Sequence, residues 1–259
     1  MFKKSIIFIS AILLAACGAT GGGEYNDTAS LGVVAPKAEQ KDYKTLVLAN
    51  VNFNKPSRIH FQDYEYKVDN LLVEYMESAG YKFLPSHVFT NAWNSAIRQT
   101  GATYDPSTGR LNEDKHLRAL GLAIEYLKAN TSANAIIFTD LLDFEVPFNQ
   151  GSSHNAKWHG VTRRFTKQGV GNQVPAGFDW SKPVEVASLW INMFDLESSN
   201  NVYRGIGGID ATVSLNMKMA EPSFTRRKDL FKNDSLIQEG IELALHPLIR
   251  MNNWPGEPK

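Results

Sequence analysis

Hydrophobic residues in the first half of the chain predict strands that alternate with helices. A nearly continuous apolar run over residues 45–53 predicts a strand covered on both faces, and shorter runs predict strands at 81–84 and 135–138. Between these runs, apolar residues recur every three or four positions, as on one face of a helix. The predicted helices cover residues 64–79, 88–98 and 112–130.

The ends of these helices carry signals of their own. Gly80 stands where a glycine commonly follows a helix, and Asn112 or Asp114 supplies a side chain that can cap the third helix. Residues 100–111 contain two glycines and a proline, which predicts a loop.

The second half of the chain changes to a pattern of hairpins. Longer strands are predicted over residues 157–165, 184–196 and 202–217, with a polar turn at 197–201 joining the last two. From residue 209 to 217, apolar residues alternate strictly with Asp, Thr, Ser and Asn. This alternation predicts one buried face and one wet face.

A last helix is predicted over residues 234–250, with Pro247 bending it near its end. The first half therefore reads strand-helix-strand-helix-strand, and antiparallel hairpins and a C-terminal helix follow. This order predicts an α+β fold with a mixed β-sheet flanked by helices, built as one domain over residues 43–259.

The amino-terminal residues have the pattern of an export signal. Lys3 and Lys4 precede an apolar run over 5–16 that is too short to span a bilayer as a stable helix. Residues 14–17, Leu-Ala-Ala-Cys, resemble the lipobox of bacterial lipoproteins. The resemblance implies that residues 1–16 are removed and that Cys17 becomes a multiply acylated membrane anchor. Gly18 in place of aspartate implies sorting to the outer membrane, with the domain facing the periplasm.

Composition is consistent with a tethered, folded domain. Residues 17–42 are rich in small and polar residues and are expected to form a lipidated, flexible tether. Hydrophobic residues make up 43% of the chain and charged residues 21%, which predicts a packed core. Basic and acidic residues both number 27, and this balance argues against a nucleic-acid partner. Cys17 is the one cysteine, so no disulfide is expected in the domain.

Three acidic residues suggest possible catalysis. Asp140, Asp143 and Glu145 cluster just after a predicted core strand, where paired carboxylates could hydrolyse a glycan. The plainer interpretation is that they solvate the end of the strand. The six histidines are scattered without metal-ligand spacing, and no nucleophile elbow, phosphate loop or dinucleotide motif occurs. We therefore expect no metal and no cofactor.

A second group of residues suggests partner binding. Trp158, His159, Arg163 and Arg164 fall on one predicted strand, with Trp158 and Arg164 on one face and His159 and Arg163 on the other. Neither face is purely apolar, so an arginine is expected to reach solvent beside an aromatic ring, as at interface anchors. The alternative is that Trp158 fills the core and the arginines form a solvated strand edge.

Five stretches resemble the family of the curli-secretion lipoprotein CsgG, together with a penicillin-binding-protein activator and the TolB amino-terminal domain. They are residues 46–53 (LVLANVNF), 78–81 (SAGY), 133–138 (ANAIIF), 157–161 (KWHGV) and 195–205 (DLESSNNVYRG). The resemblance implies a periplasmic adaptor and no enzymatic activity. The long segment 151–183 lacks the amphipathic stretches that a secretion pore requires.

The sequence thus favours a non-enzymatic outer-membrane lipoprotein that binds an envelope protein during assembly or secretion. Two alternatives stay open. One is a glycan-processing hydrolase that uses Asp140, Asp143 or Glu145. The other is a subunit of a homo-oligomeric, CsgG-like secretion channel.

Overall fold

A computed structural model describes residues 33–34, 42–53, 56–148, 155–165, 167–168, 179, 181–216 and 223–255. Its strands are β1 (Val33–Val34), β2 (Thr45–Ala49), β3 (Lys82–Phe83), β4 (Ala135–Val146), β5 (Asn155–Trp158), β6 (Val161–Arg164), β7 (Lys167–Gln168), β8 (Val184–Asp195), β9 (Asn201–Ala211), β10 (Val213–Asn216) and β11 (Ser223–Arg226). Its α-helices are α1 (Gln62–Ser78), α2 (His87–Thr100), α3 (Glu113–Asn130) and α4 (Asp234–Leu245), and a 3₁₀ helix (Pro56–Phe61) precedes α1.

A six-stranded mixed sheet in the order β1-β9-β8-β4-β2-β3 forms the centre of the molecule. Strands β3, β2 and β4 are parallel, whereas β4, β8, β9 and β1 pair antiparallel. A hairpin of β5 and β6 and a small sheet of β11, β10 and β7 complete the described strands. The predicted α+β fold is confirmed.

Helices cover both faces of the central sheet, as the continuous apolar run at residues 45–53 predicts. On the first face, Leu46 and Leu48 pack with α1 and α4. On the second face, Val47 and Ala49 pack with α2 and α3. A third hydrophobic cluster lies around the β5–β6 hairpin, with Trp158 at 0% exposure.

The helices of the first half agree with their predicted signals. Asn112 is the residue that caps α3, because its side chain accepts a hydrogen bond from the Lys115 amide. Gly80, just beyond α1, has a φ of 93°, a conformation that favours glycine.

Strand β2 ends four residues earlier than predicted, because Asn52 takes over its pairing with β4. Asn52 has a φ of 54°, which asparagine tolerates better than most residues. Its amide donates to the Thr139 carbonyl at 2.9 Å, and its side-chain Oδ1 accepts from the Leu141 amide at 2.8 Å. The turn therefore continues the hydrogen bonding between β2 and β4 through one backbone bond and one side-chain bond of Asn52.

The predicted alternation of buried and wet residues after 209 is wrong. Asp210 is 7% exposed and Thr212 is 0% exposed, because both bind partners inside the fold. Arg227 donates to Asp210, and the Thr212 hydroxyl donates to Glu185. The strand also breaks at Thr212, whose amide donates to the Glu185 carbonyl.

The last helix ends at Leu245, so Pro247 terminates it and does not bend it. A residue before proline is restricted to extended backbone, and His246 has a φ of −72° and a ψ of 134°. The predicted tether also differs in part, since Val33–Val34 pairs with β9. The predicted signal, Cys17 and the rest of the tether up to residue 41 lie outside the described residues.

Helix α4 lies directly on the backbone of β9, at positions without side chains. A methyl group at Gly205 would collide with the Ala244 carbonyl oxygen, and one at Gly207 would collide with the Gly240 carbonyl oxygen. The Tyr203 hydroxyl donates to the carbonyls of Ala244 at 2.6 Å and of His246 at 3.0 Å. The end of the helix is thus bound to the strand beneath it.

We expect Gly207→Ala to destabilise the fold by about 2 kcal/mol or more, because the obstructing atoms belong to the helix backbone and α4 must move. Gly121→Ala is the control. Gly121 lies inside α3 with nothing within 4 Å of a new methyl, so alanine should stabilise by about 0.5–1 kcal/mol. Urea unfolding measures both variants. Equal stability of the two would contradict the close helix–strand contact.

Asp69 is a buried carboxylate on α1 that holds the turn after β2. Its oxygens accept from the Val51 amide and from Asn50 Nδ2, both at 3.2 Å. Burial raises the pKa of Asp69 to about 7, and nearby Glu65 adds to the rise, while the hydrogen bonds from Asn50 and Val51 oppose it. The folded state thus holds a proton that the unfolded chain releases near pH 4.

Stability should therefore fall as the pH rises from about 4 to about 7. At about 1.4 kcal/mol for each pKa unit, Asp69 accounts for a loss of at most about 4 kcal/mol. We expect Asp69→Asn to flatten this decline, measured by urea unfolding at several pH values. Asp105→Asn is the control, because hydrogen bonds from Ser107 and Thr108 lower the pKa of Asp105 to about 2, below the window. An unchanged decline in Asp69→Asn would refute the assignment.

Candidate functional site

Strand β4 carries all three acidic residues that the sequence suggests for catalysis. The prediction that they follow a strand is wrong, because β4 continues to Val146 and contains them. Its unbroken register with β8 places Asp140 on the face that α2 and α3 cover, and Asp143 and Glu145 on the opposite face. The three carboxylates therefore do not converge on one substrate.

Asp143 forms the most distinctive polar contact of the three. His60 Nε2, on the 3₁₀ helix, lies 2.7 Å from Asp143 Oδ2. The other oxygen, Oδ1, is buried and has no hydrogen-bond partner among the described residues. Burial raises the pKa of Asp143, and Glu185 adds to the rise, while His60 and Arg226 oppose it. A carboxyl group of this kind can exchange a proton with an adjacent imidazole.

The acidic groups beside this pair are bound to other residues. Glu185 Oε1 accepts from the Thr212 hydroxyl and from Arg226 Nη2, both at 2.8 Å. Glu185 therefore holds β11 against the central sheet. A glycosidase requires two carboxyl groups that act on the same glycosidic bond. Because Glu185 is bound by Thr212 and Arg226, we assign it a structural role and not a catalytic one.

A second ion-pair group lies on the same segment of chain. Arg227 Nη1 lies 2.7 Å from Asp210 Oδ2, and Arg227 Nε lies 3.0 Å from Asp229 Oδ1. The side chains of Arg227 and Asp210 are only 11% and 10% exposed. This group therefore holds the segment after β11 against the end of β9.

Residues 157–165 form a hairpin and not the single predicted strand. His159 and Gly160 make the turn with φ values of 36° and 87°. The predicted division of side chains between two faces is therefore wrong, since Trp158 and Val161 face each other across the hairpin.

Trp158 and His159, two of the predicted partner-binding residues, are buried at 0% and 4% exposure. Trp158 Nε1 donates to the Ala187 carbonyl at 3.3 Å, and His159 Nδ1 lies 2.7 Å from Ser188 Oγ. The His159 ring meets Phe144 edge to face, 4.6 Å between centroids. Both side chains thus attach the hairpin to the central sheet.

The two arginines have different environments. Arg163 Nη2 lies 2.7 Å from Glu239 Oε2 on α4, and Arg163 Nε donates to the Ile209 carbonyl at 2.9 Å. Its side chain is 14% exposed. Arg164 is exposed. Of the four predicted residues, Arg164 is therefore the one that reaches solvent.

A further group of residues lies between the areas that the helices and the hairpin cover, and we call it the sheet-centre patch. It consists of Trp190 and Asn192 on β8 and Arg204 on β9, all three half-buried. The Arg204 guanidinium lies over the Trp190 ring, 5.8 Å from its centroid. Arg204 Nε donates to Asn192 Oδ1 at 3.0 Å.

Sequence reasoning missed this patch, although two signals mark it. Asn192 and Arg204 are polar residues inside strands that are otherwise largely apolar, and the register pairs them across β8 and β9. Trp190 is two residues from Asn192 on the same strand, so its side chain shares that face. Predicting the patch required the register, which the turn at 197–201 alone does not specify.

Cys17, the predicted lipidation site, lies outside the described residues. Within the described ranges, no group of three or more His, Cys, Asp or Glu side chains is placed to hold a metal ion. In the same ranges, no helix has the length and apolar character needed to cross a bilayer.

No protein-family model matches the sequence, and a search of curated proteins finds no match. The resemblance to the CsgG family therefore stays a prediction. Solved structures give distant similarities. The PelC dodecamer from Paraburkholderia phytofirmans is 11% identical over 84% of this chain and 94% of that chain, with a TM-score of 0.34. Lipoprotein GNA1162 from Neisseria meningitidis is 11% identical over 65% of this chain and 84% of that chain, with a TM-score of 0.31.

A neuraminyllactose-binding hemagglutinin homolog from Helicobacter pylori is 9% identical over 82% of this chain and 87% of that chain, with a TM-score of 0.29. All these TM-scores are below 0.5, so the similarities carry no argument about function.

Proposed function

We propose that this chain is a lipid-anchored protein of the bacterial outer membrane whose domain faces the periplasm and binds an envelope protein without catalysing a reaction. The lipobox resemblance at residues 14–17 supports the anchor. The observation that carries the binding function is the two-sidedness of the β5–β6 hairpin.

The inner face of this hairpin is committed to the fold. Ala156, Trp158 and Val161 are buried, and Arg163 is paired with Glu239. The outer face consists of Lys157, Thr162 and Arg164, all exposed. A rigidly held hairpin with a basic outer face is suited to meet an acidic protein surface, since charge complementarity speeds association and selects partners.

The contacts of the acidic residues favour binding over catalysis. Asp140 lies on the face opposite Asp143, and Glu185 is bound by Thr212 and Arg226. Glu145 shares the face of Asp143 and is exposed, so of the three acidic residues it is the one that could act together with the His60–Asp143 pair. The channel alternative is less favoured, because residues 151–183, most of which lie outside the described residues, lack the amphipathic stretches that a secretion pore requires.

Cys17→Ser should abolish lipid attachment, because a hydroxyl group cannot form the thioether that the lipid requires. We expect an uncleaved or mislocalised precursor, measured by mass spectrometry of the mature amino terminus and by membrane fractionation. An unmodified amino terminus downstream of Cys17 in the wild-type protein would refute the anchor and leave the binding function untouched.

Arg164→Glu should weaken recovery of the protein partner from crosslinked membranes at least about tenfold while changing the free energy of unfolding by less than about 0.5 kcal/mol. Arg163→Gln should destabilise the fold, and the folded variant should still recover the partner. Loss of the pair with Glu239 and of the bond to the Ile209 carbonyl should destabilise by about 1–3 kcal/mol.

Arg110→Glu, a charge reversal on an exposed residue in the loop between α2 and α3, is the matched control and should change neither quantity. Partner recovery that is equal in Arg164→Glu and Arg110→Glu would remove the hairpin's outer face from the proposal. Early unfolding of Arg164→Glu would show that this arginine is also structural.

A further inference from the structure

The sheet-centre patch contains hydrogen-bond donors that the described fold does not use. Trp190 Nε1 is buried and has no acceptor among the described residues. An indole N–H that loses water on folding normally finds a partner, so an orphan of this kind requires an explanation. A ligand that brings a hydrogen-bond acceptor to Trp190 Nε1 would explain the unpaired group.

Arg204 contributes the larger share of unused donors. Its Nε donates to Asn192, and its guanidinium lies over the Trp190 ring at 5.8 Å from the centroid, so two contacts orient the group. The two terminal nitrogens have no partner in the described part of the chain. A fixed guanidinium with free terminal N–H groups has the geometry that binds a carboxylate with two parallel hydrogen bonds.

Neighbouring residues hold the arginine in place. Asn192 Oδ1 also accepts from Asn201 Nδ2 at 3.4 Å, so this oxygen is already engaged and orients Arg204 without neutralising it. Ile206, the cross-strand partner of Trp190, belongs to none of the three hydrophobic clusters. The patch is therefore a polar anchor with an apolar border, on a part of the sheet that these clusters do not include.

Asp140 limits where a negative charge can bind. It pairs with Trp190 in the register of β4 and β8, whereas Arg204 lies on β9, on the other side of β8. An acidic group is therefore directed to the β9 side of the patch. Because Trp190, Asn192 and Arg204 are half-buried on a sheet face and not enclosed, the surface suits a chain that lies across it better than a small acid, which favours a concave site.

We propose that the sheet-centre patch binds an acidic peptide segment, with an aspartate or glutamate carboxylate of that segment held by Arg204 against the Trp190 ring. Aromatic and arginine side chains of this kind dominate the binding energy of protein interfaces. The site is separate from the outer face of the β5–β6 hairpin and does not depend on it.

The test uses the full chain in detergent with ¹⁵N-labelled tryptophan, and the signal is the indole N–H resonance of Trp190. Trp190→Phe identifies this resonance among those of the five tryptophans. The probe is a short Gly-Ser peptide with two glutamates, compared at equal ionic strength with the same peptide carrying two glutamines and with acetate.

The glutamate peptide should move the Trp190 resonance saturably, while the glutamine peptide should not. Arg204→Gln should weaken the effect at least about tenfold, and Arg204→Lys should weaken it nearly as much, because lysine lacks the planar pair of donors. Asn192→Ala, which keeps the arginine but removes its anchor, should weaken it several-fold. Arg164→Glu, on the hairpin's outer face, should leave it unchanged.

Three results would overturn the proposal. One is a shift of equal size with the glutamine peptide. Another is full retention of the shift in a folded Arg204→Gln variant. The third is acetate acting as strongly as the peptide at the same carboxylate concentration, which would make the patch a site for small acids. Thermal unfolding of each variant shows that a lost shift is not a lost fold.

Discussion

The contact between α4 and the bare backbone of β9 positions much of the second half of the molecule. Gly205 and Gly207 let the helix approach until carbonyl oxygens of α4 occupy the places of their missing methyl groups. Tyr203 then binds the helix end through two carbonyls. Helix α4 in turn carries Glu239, which holds Arg163 and with it the β5–β6 hairpin. A glycine-rich strand, which looks weak by propensity, thus determines where the proposed partner face lies.

Most buried polar side chains in the described part of the fold join one element to another, and a few have an atom without a hydrogen-bond partner. Glu185, Asp210 and Arg227 join the segment around β11 to the central sheet, and Asp69 and Asn52 join α1 and β4 to the turn after β2. Five buried side-chain atoms have no partner among the described residues, and Asp143 Oδ1 and Trp190 Nε1 are two of them. Asp143 lies inside an ionic cluster, whereas Trp190 lies beside an arginine with open donors. This difference is why the surroundings of Trp190, and not those of Asp143, support a ligand site.

Periodicity predicted the helices of the first half well, because each buries one continuous stripe against the sheet. The failures occurred where a decisive interaction is not local. A turn at His159 and Gly160 requires a non-glycine residue in the left-handed region, which no apolar pattern signals. Asn52 ends β2 only because residues of β4 lie beside it. The Arg163–Glu239 pair joins residues 76 positions apart, so the sequence could not show which arginine is structural. The identity of the exposed residue, Arg164, followed only from the hairpin register.

The pairing of Val33–Val34 with β9 has a mechanical consequence. In the lipid-anchored form that we propose, Cys17 precedes Val33 by 16 positions, so a pull from the membrane reaches the described domain first at this two-residue ladder. Val33 lies opposite Arg204, the arginine of the sheet-centre patch. Tension on the anchor would load the edge of β9 beside that arginine before it loads the hydrophobic core. The molecule thus places a strand pairing of only two residues under the first strain, next to the residue that we assign to ligand binding. This arrangement would make occupancy of the patch sensitive to force.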